Sequence, residues 1–63
     1  MSKVAVLMAT GYEEGETLTI VDILRRADIE CHTFYFDTPY VEGMHHMFIK
    51  GDKKFSDEIQ DYD

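Results

Sequence analysis

The sequence has no tryptophan, one proline and one cysteine among its 63 residues. The single cysteine, Cys31, excludes an internal disulfide bond. Domains of this size bury only about 60% of the surface that the unfolded chain exposes. Those that fold alone usually have disulfides, a metal or a very regular core. The chain therefore holds at most one domain, and we expect its stability in isolation to be marginal.

Positive charge is also scarce, because 6 basic residues stand against 13 acidic ones, for a net charge of -7. Nucleic-acid affinity depends on clustered lysine and arginine side chains that neutralise phosphates. We therefore predict no nucleic-acid surface and no binding to an anionic membrane. No stretch approaches the roughly 20 apolar residues of a membrane span, and the first residues lack the features of a secretion signal. A cytoplasmic location is expected, and the free cysteine agrees with it.

Strand and helix signals alternate through the first part of the chain. Residues 3–9, KVAVLMA, have the nearly continuous apolar character of a buried parallel strand, and Thr10-Gly11 ends it. A helix is predicted over residues 13–27, where Thr10 and Glu13 have the spacing of a capping box. Residues 29–36, IECHTFYF, predict a second strand. With short links, this order predicts a βαβ unit with parallel strands and a right-handed crossover.

The second half of the chain shows weaker patterns. Residues 39–42 and 47–50 predict a hairpin, and residues 55–60 predict a short helix capped by Ser56. Two parallel strands under one helix leave an open strand edge and an uncovered apolar face. We therefore expect residues 1–63 to be the N-terminal part of a single larger α/β domain, whose remainder is absent or lies in a companion segment.

The predicted helix has an apolar arc about 160° wide, which we expect to face the sheet. The arc comprises Ile20, Val21, Ile23, Leu24 and Ala27. Leu18 falls outside this arc, and the opposite side holds Thr19, Asp22, Arg25 and Arg26. Asp22 and Arg26 have the spacing of an acid-first i,i+4 ion pair.

Glu16 is the strongest candidate for a functional residue. It falls within the apolar arc and follows the C-terminal end of the first strand, where open α/β sheets bind their ligands. A carboxylate turned toward packed surface should have a raised pKa, and perturbed carboxylates in clefts are candidates for catalysis. The alternative is an acid at a helix start that stabilises the dipole and points to water. We expect that simpler role for Glu13 and Glu14.

Other reactive side chains predict no cofactor and no metal. The Ala9-Thr10-Gly11 turn is similar to the start of a flavodoxin phosphate loop, but the glutamates that follow oppose an anion, and no P-loop lysine is present. Adjacent His45 and His46 point to opposite faces of a strand, and no HxxxH or CxxC spacing links them to His32 or Cys31. Solvent-exposed histidines and a buried apolar Cys31 are the favoured interpretations.

The string KVAVLMATGYEEGETLTIVDILRRADIECHTF resembles the opening of ThiJ/PfpI superfamily proteins, which include the parkinsonism-associated protein deglycase. The likeness lies in an apolar strand, a small-Gly turn at Gly11, an E-E-x-E run ending at Glu16, and V-D and R-R-A along the helix. D-K-x-F at Asp52-Phe55 and D-Y-D at Asp61-Asp63 extend the resemblance over nearly the whole chain.

The resemblance implies a flavodoxin-like doubly wound parallel sheet sandwich, of which this chain is the N-terminal βαβ segment. It implies a homodimer through the first helix, with Leu18 and Arg25 at or near the subunit contact. It also implies an active site that pairs a cysteine on a nucleophile elbow with a glutamate from the first βα turn and usually a histidine. Glu16 matches that glutamate, whereas Cys31 does not match the nucleophile.

The function implied is that of a cysteine-dependent enzyme or stress protein acting on small carbonyl compounds, similar to glyoxalases or deglycases and free of any cofactor. The segment alone would be inactive. Two alternatives stay open on sequence: a non-catalytic dimeric chaperone or interaction protein of the same fold, and a flavodoxin-like module that binds phosphate or flavin through the Ala9-Thr10-Gly11 turn.

Overall fold

The computed structural model describes residues 2–63, which form two sheets, one α-helix and one 3-10 helix. In chain order the elements are β1 (Lys3–Met8), α1 (Glu14–Arg26), β2 (Glu30–Tyr35), β3 (Tyr40–Glu42), β4 (Phe48–Lys50), β5 (Lys53–Lys54) and the 3-10 helix (Asp57–Asp61). One sheet has the strand order β1-β2-β5, and the other pairs β3 with β4. No helix within this part of the chain is long and apolar enough to cross a membrane.

The predicted βαβ unit is confirmed. Strands β1 and β2 pair in parallel, in a register that runs from Lys3 opposite Glu30 to Met8 opposite Tyr35. Met8 and Phe34 are fully buried, and Val21 of the helix and Cys31 of β2 are also buried. Cys31 is thus a core residue, as its position in an apolar strand predicted. Burial raises the pKa of its thiol, which favours the neutral form.

Strand β5 is a feature that the sequence did not predict. Its two lysines, Lys53 and Lys54, pair in parallel with Phe34 and Tyr35 of β2. Asp52 precedes it and accepts hydrogen bonds at its Oδ2 from the Thr33 backbone N–H at 2.9 Å and the Thr33 hydroxyl at 3.1 Å. A strand of two lysines has no alternation of apolar and polar residues by which it could be predicted. Its pairing with β2 depends on the hydrogen bonds between Asp52 and Thr33.

The predicted hairpin is present, and it packs against the start of the helix. Val41 lies opposite Ile49 in the antiparallel β3–β4 pair. The Gly11 N–H donates to the Glu42 carbonyl at 2.9 Å, and the Met44 N–H donates to the Tyr12 carbonyl at 2.8 Å. These bonds join the β1–α1 turn to the hairpin, although about thirty residues separate them in sequence.

The face of α1 that meets the sheet differs from the predicted arc. Val21 is buried and Leu24 half-buried, but Ile20 and Ile23 are 52% and 58% exposed, and Ala27 is exposed. Leu18, which was expected outside the arc, is half-buried. The sheet-facing stripe therefore runs through Glu14, Leu18 and Val21, at i, i+4 and i+7.

Arg25 explains part of this rotation. Its Nη2 donates to the Cys31 carbonyl at 3.0 Å and to Asp52 Oδ2 at 2.7 Å. It therefore lies against the edge of β2, and its assignment to the side opposite the sheet was wrong. The periodicity of a helix with apolar residues on two sides does not show which side faces the sheet. Here the hydrogen bonds of Arg25 to residues distant in sequence help to determine that side.

The C-terminal segment returns to the start of the sheet. Ser56 caps the 3-10 helix, as predicted, by accepting from the Glu58 N–H at 3.3 Å. The Tyr62 ring then packs edge-on against Phe34 with centroids 5.1 Å apart, and its hydroxyl lies 2.9 Å from His32 Nδ1. The Lys3 ammonium lies 4.6 Å from the centre of the Tyr62 ring, a favourable cation–π arrangement.

Candidate functional site at the start of helix α1

The helix begins in a cluster of three glutamates, each in a different environment. Glu13 is the N-cap residue, and its carboxylate accepts from the Gly15 N–H at 2.8 Å. Glu14 is 2% exposed, whereas Glu16 is exposed. Before them, Gly11 has φ +91°, a left-handed conformation that glycine adopts without strain. This turn brings the chain from the carboxyl end of β1 into the helix.

Glu14 binds the tip of the β3–β4 hairpin. Its Oε2 accepts from the His45 N–H at 2.9 Å and from the Met47 N–H at 3.1 Å. Its Oε1 lies 2.9 Å from His45 Nδ1. Gly43 is buried directly against this carboxylate, because a Cβ at that position would come within 2.2 Å of Glu14 Cδ. The expectation that Glu14 points to water as a simple helix-start acid was therefore wrong.

The electrostatics of this contact favour an ion pair. Burial alone would raise the pKa of Glu14, but hydrogen bonds from its own backbone, from the His45 side chain and from the Met47 and His45 backbone hold it at about 2. The pKa of His45 is raised, first by its hydrogen bond to Glu14 and then by the charge of Glu13. Burial and the Glu14 charge also raise the pKa of Tyr12. The carboxylate is thus ionised, and the imidazole is biased toward its protonated form.

Glu16 does not lie in the packed interface that the helical wheel predicted. It is exposed, and it lines an open surface depression with Glu13, Gly15, Thr19 and Ile20. The predicted inward orientation fails for the reason given above, since the helix is rotated so that Glu14 faces inward. The catalytic assignment of Glu16 is a separate matter, and it stays a prediction.

Glu13, Glu14 and His45 are the group within residues 2–63 whose ligand atoms approach closely enough for a metal ion, within 4.8 Å of one another. The sequence did not predict this group, because Glu14 and His45 are 31 residues apart and no short metal-ligand motif joins them. Both oxygens of Glu14 already accept hydrogen bonds. His46 binds elsewhere, with its Nδ1 2.8 Å from Glu42 Oε2.

Two N–H groups at the Ala9-Thr10-Gly11 turn, those of Gly11 and of the following Tyr12, are bonded within the protein. The Gly11 N–H donates to Glu42, and the Tyr12 N–H donates to the Ala9 carbonyl at 3.1 Å. A phosphate loop needs such groups directed at the ligand. Beside this turn, at the carboxyl ends of β1 and β2, lies a cavity of about 220 Å³. It is lined by Met8, Ala9, Thr10, Phe36, Asp37, Thr38 and Val41.

A family model described as the DJ-1/PfpI family matches residues 2–63. The chain belongs to this family. A crystal structure of a DJ-1 superfamily protein from Salmonella typhimurium is similar, with a TM-score of 0.86 and 38% sequence identity over 95% of this chain. Oxidised DJ-1 of Toxoplasma gondii matches with a TM-score of 0.81 and 36% identity over 86% of this chain. No curated protein matches the chain.

These similarities confirm the resemblance to the ThiJ/PfpI superfamily and the flavodoxin-like α/β fold. The chain spans 33% of the Salmonella protein and 30% of the Toxoplasma protein. It therefore corresponds to about a third of each of these relatives. The E-E-x-E run is the start of α1, and the structure assigns its second glutamate, Glu14, to binding the hairpin.

Proposed function

We propose that the intact protein is a cysteine-dependent enzyme or stress protein acting on small carbonyl compounds, in the manner of a glyoxalase or deglycase, in the cytoplasm. Membership of the DJ-1/PfpI family supports this proposal. In it, the present segment contributes Glu16 as the acid–base group, and the nucleophilic cysteine is a residue other than Cys31. The buried position of Cys31 in β2 agrees with that assignment.

The observation that carries the proposal is the difference between the three glutamates at the start of α1. The Glu13 carboxylate binds the Gly15 N–H and the Glu14 carboxylate binds the hairpin, whereas the Glu16 residue is exposed and its carboxyl group has no hydrogen-bond partner within residues 2–63. Glu16 lies in the first turn of the helix that follows the carboxyl end of β1, the edge where open α/β sheets bind ligands. Of the three, it is the carboxyl group available to a substrate.

Such a carboxyl group can serve a carbonyl reaction in two ways. When protonated, it can donate a hydrogen bond to a nearby thiolate and help to keep that thiolate ionised. It can also transfer a proton to or from the substrate as a general acid and base, a contribution typically on the order of 10²–10⁴-fold.

The test uses Glu16→Gln in the intact protein, with turnover of a dicarbonyl substrate and the pKa of the reactive cysteine as readouts. We expect the variant to keep its fold, to lose about 10²-fold or more in turnover, and to shift the cysteine pKa. Glu13→Gln is the matched control, since it lines the same depression and keeps a carbonyl oxygen for the Gly15 N–H. Equal and small effects of the two substitutions would contradict the assignment.

The second candidate is an interaction protein of the same fold that associates through α1. Ile20 and Ile23 favour it, because two large apolar side chains more than half exposed on one helix offer an apolar surface for association. We propose that the intact protein forms a homodimer through this face. An enzyme can also be a homodimer, so dimerisation alone does not distinguish the two candidates. The non-catalytic interaction protein is favoured over the enzyme only if the intact protein shows no turnover.

A further inference from the structure

We propose that Glu13, Glu14 and His45 bind a zinc ion between the start of α1 and the turn of the β3–β4 hairpin. The ion would have three protein ligands, namely one oxygen from each carboxylate and Nδ1 of the imidazole, and water would complete its coordination. This inference is independent of the chemistry proposed for Glu16, which needs no metal. The turnover comparison of Glu16→Gln with Glu13→Gln is therefore made without added metal.

The separations of the three ligand atoms agree with a shared ion. His45 Nδ1 lies 2.9 Å from Glu14 Oε1 and 3.7 Å from Glu13 Oε2, and one ligand atom from each residue falls within 4.8 Å of the others. Zinc bonds to nitrogen and oxygen are about 2.0–2.2 Å long, so two ligands of a tetrahedral ion are about 3.4 Å apart. The two distances to Nδ1 lie on either side of that value. The side chains of Glu13 and His45 are 33% and 60% exposed, so they can adjust around the ion without repacking the core.

Each carboxylate is held by one oxygen and offers the other. Glu13 Oε1 accepts from the Gly15 N–H at 2.8 Å, and its Oε2 is the oxygen that approaches His45. Glu14 Oε2 accepts from the His45 and Met47 N–H groups at 2.9 and 3.1 Å, whereas its Oε1 faces the imidazole. Hydrogen bonds of this kind orient metal ligands and increase the affinity of protein sites for the ion. The donors belong to the backbone of the two segments that the ion would join.

The hydrogen bond between Glu14 Oε1 and His45 Nδ1 does not obstruct an ion, because the ion takes the place of the proton. Imidazole binds metals through an unprotonated nitrogen, so zinc binding would release the Nδ1 proton to the solvent. Oε1 also accepts the His45 N–H at 3.2 Å. A carboxylate oxygen has two lone pairs, so one remains for the metal. The two carboxylate charges then balance the double positive charge of zinc.

The ligand set favours zinc over the harder divalent cations. Calcium is bound by oxygen ligands, and magnesium keeps several waters and binds one or two carboxylates. Imidazole instead suits zinc and other transition metals. Catalytic zinc sites are built from three protein ligands, including histidine and glutamate, with water in the fourth position. The side chain of His45 is 60% exposed, which leaves room for that water.

A second, independent observation comes from the residue that precedes the cluster. The Tyr12 hydroxyl is buried and has no hydrogen-bond partner within residues 2–63. Burial and then the charge of Glu14 raise the pKa of this hydroxyl, which places it within the electrostatic range of the carboxylate. In native structures a buried polar atom without a partner calls for an explanation, and a bound water or ion provides one. The proposed ion and its water supply such a group next to Glu13 and Glu14.

The proposal is tested by equilibrium dialysis of the intact protein against Zn²⁺, after removal of bound metal with a chelator. We expect His45→Asn to lower the affinity at this site at least about 100-fold, because the loss of a supporting residue outside the ligand set already costs about 10–100-fold. His46→Asn is the matched control and should bind as the parent does. It removes the adjacent histidine, whose Nδ1 lies against Glu42, and asparagine tolerates the φ of 64° at that position.

Further measurements keep the test decisive if His45→Asn unfolds. NMR of the parent should show that Zn²⁺ alters the ring resonances of His45 and leaves those of His46 and His32 unchanged. Glu13→Gln keeps an oxygen for the Gly15 N–H and should weaken zinc binding by about 10-fold or more. A large excess of Mg²⁺ should not displace the zinc ion. Unaltered His45 resonances, equal losses of affinity in His45→Asn and His46→Asn, or displacement by Mg²⁺ would overturn the proposal.

Discussion

Glu14 and His45 are 31 residues apart in sequence, yet the Glu14 carboxylate accepts both the backbone N–H of His45, at 2.9 Å, and the hydrogen on its ring Nδ1, at 2.9 Å. The start of the helix and the tip of the hairpin are therefore fastened by one buried side chain. Because Glu14 is 2% exposed, water does not compete for these bonds. This contact predicts that Glu14 stabilises the folded chain and that the nearby Glu16 does not.

Glu14→Gln should destabilise the 63-residue chain. A glutamine places an NH₂ group where the carboxylate receives donors from His45 and Met47, and so leaves a buried donor without an acceptor. We expect thermal unfolding, followed by circular dichroism, to begin at a temperature lower by about 5–10 °C. Glu16→Gln is the matched control and should leave the transition within about 2 °C of the parent. Similar transitions for the two variants would contradict the anchoring role of Glu14.

Stability should fall on the acid side as Glu14 takes up a proton. The pKa of Glu14 is lowered from its ordinary value of 4.5 to about 2 in the folded chain. A depressed pKa stabilises the folded state above pH 4.5, and this contribution is lost as the pH falls toward 2. Urea midpoints measured from pH 6 to pH 2 should show this decline. The decline should be weaker in Glu14→Gln, and an identical pH profile in both proteins would refute the prediction.

His45 should contribute a second, opposite pH dependence. Its pKa is raised above the ordinary value of 6.5, first by the hydrogen bond to Glu14. A raised pKa stabilises the folded state fully below pH 6.5, and this contribution is lost as the pH rises through the folded-state value. We expect urea midpoints to decrease over that interval, and the His45→Asn variant to lack the decrease. An NMR titration of the His45 ring that shows a pKa at or below the ordinary value would exclude this account.

Gly43→Ala should disrupt the same contact by its size. An added Cβ would meet Glu14 atoms at 2.2–2.4 Å, a separation that side chains do not tolerate. We expect the free energy of unfolding, from urea titration, to fall by about 1–3 kcal/mol, the usual cost of overpacking. Gly15→Ala is the control, because it is exposed and should be neutral or stabilising by up to about 1 kcal/mol in a helix. An unaffected Gly43→Ala would mean that the hairpin packs differently.

The exposed face of α1 gives a prediction for the intact protein. Ile23→Lys should shift the proposed homodimer toward monomer, because it places a charge within an apolar contact. Sedimentation velocity measures the shift, and Gln60→Lys provides the same charge change on an exposed site of the 3-10 helix. Ile23 suits this test better than Leu18, which is half-buried within the chain. The place of Leu18 and Arg25 at or near the contact stays a prediction. A dimer unchanged by Ile23→Lys would move the contact away from this face.

The amino-acid sequence by itself determined the order of the elements other than β5, and their bounds to within a few residues. The apolar run of β1, the helix from Glu14 to Arg26 and the Ser56 cap are specified by residues within a few positions of one another. Hydrophobic periodicity, secondary-structure propensity and helix capping depend on residues within that range, so they can be recognised from the sequence alone. The motifs that carry the family resemblance are equally local, and the family was therefore recognisable without coordinates.

Only the tertiary structure decided which face of α1 meets the sheet, which glutamate is buried and where β5 pairs. Each of these depends on partners that are distant in sequence, such as His45 for Glu14 at a separation of 31 residues and Asp52 for Arg25 at a separation of 27. A helix with apolar side chains on two sides, an acidic N-cap residue and two acids in its first turn has several acceptable orientations. The hydrogen bonds made across the fold stabilise one of them, and no local pattern encodes those bonds.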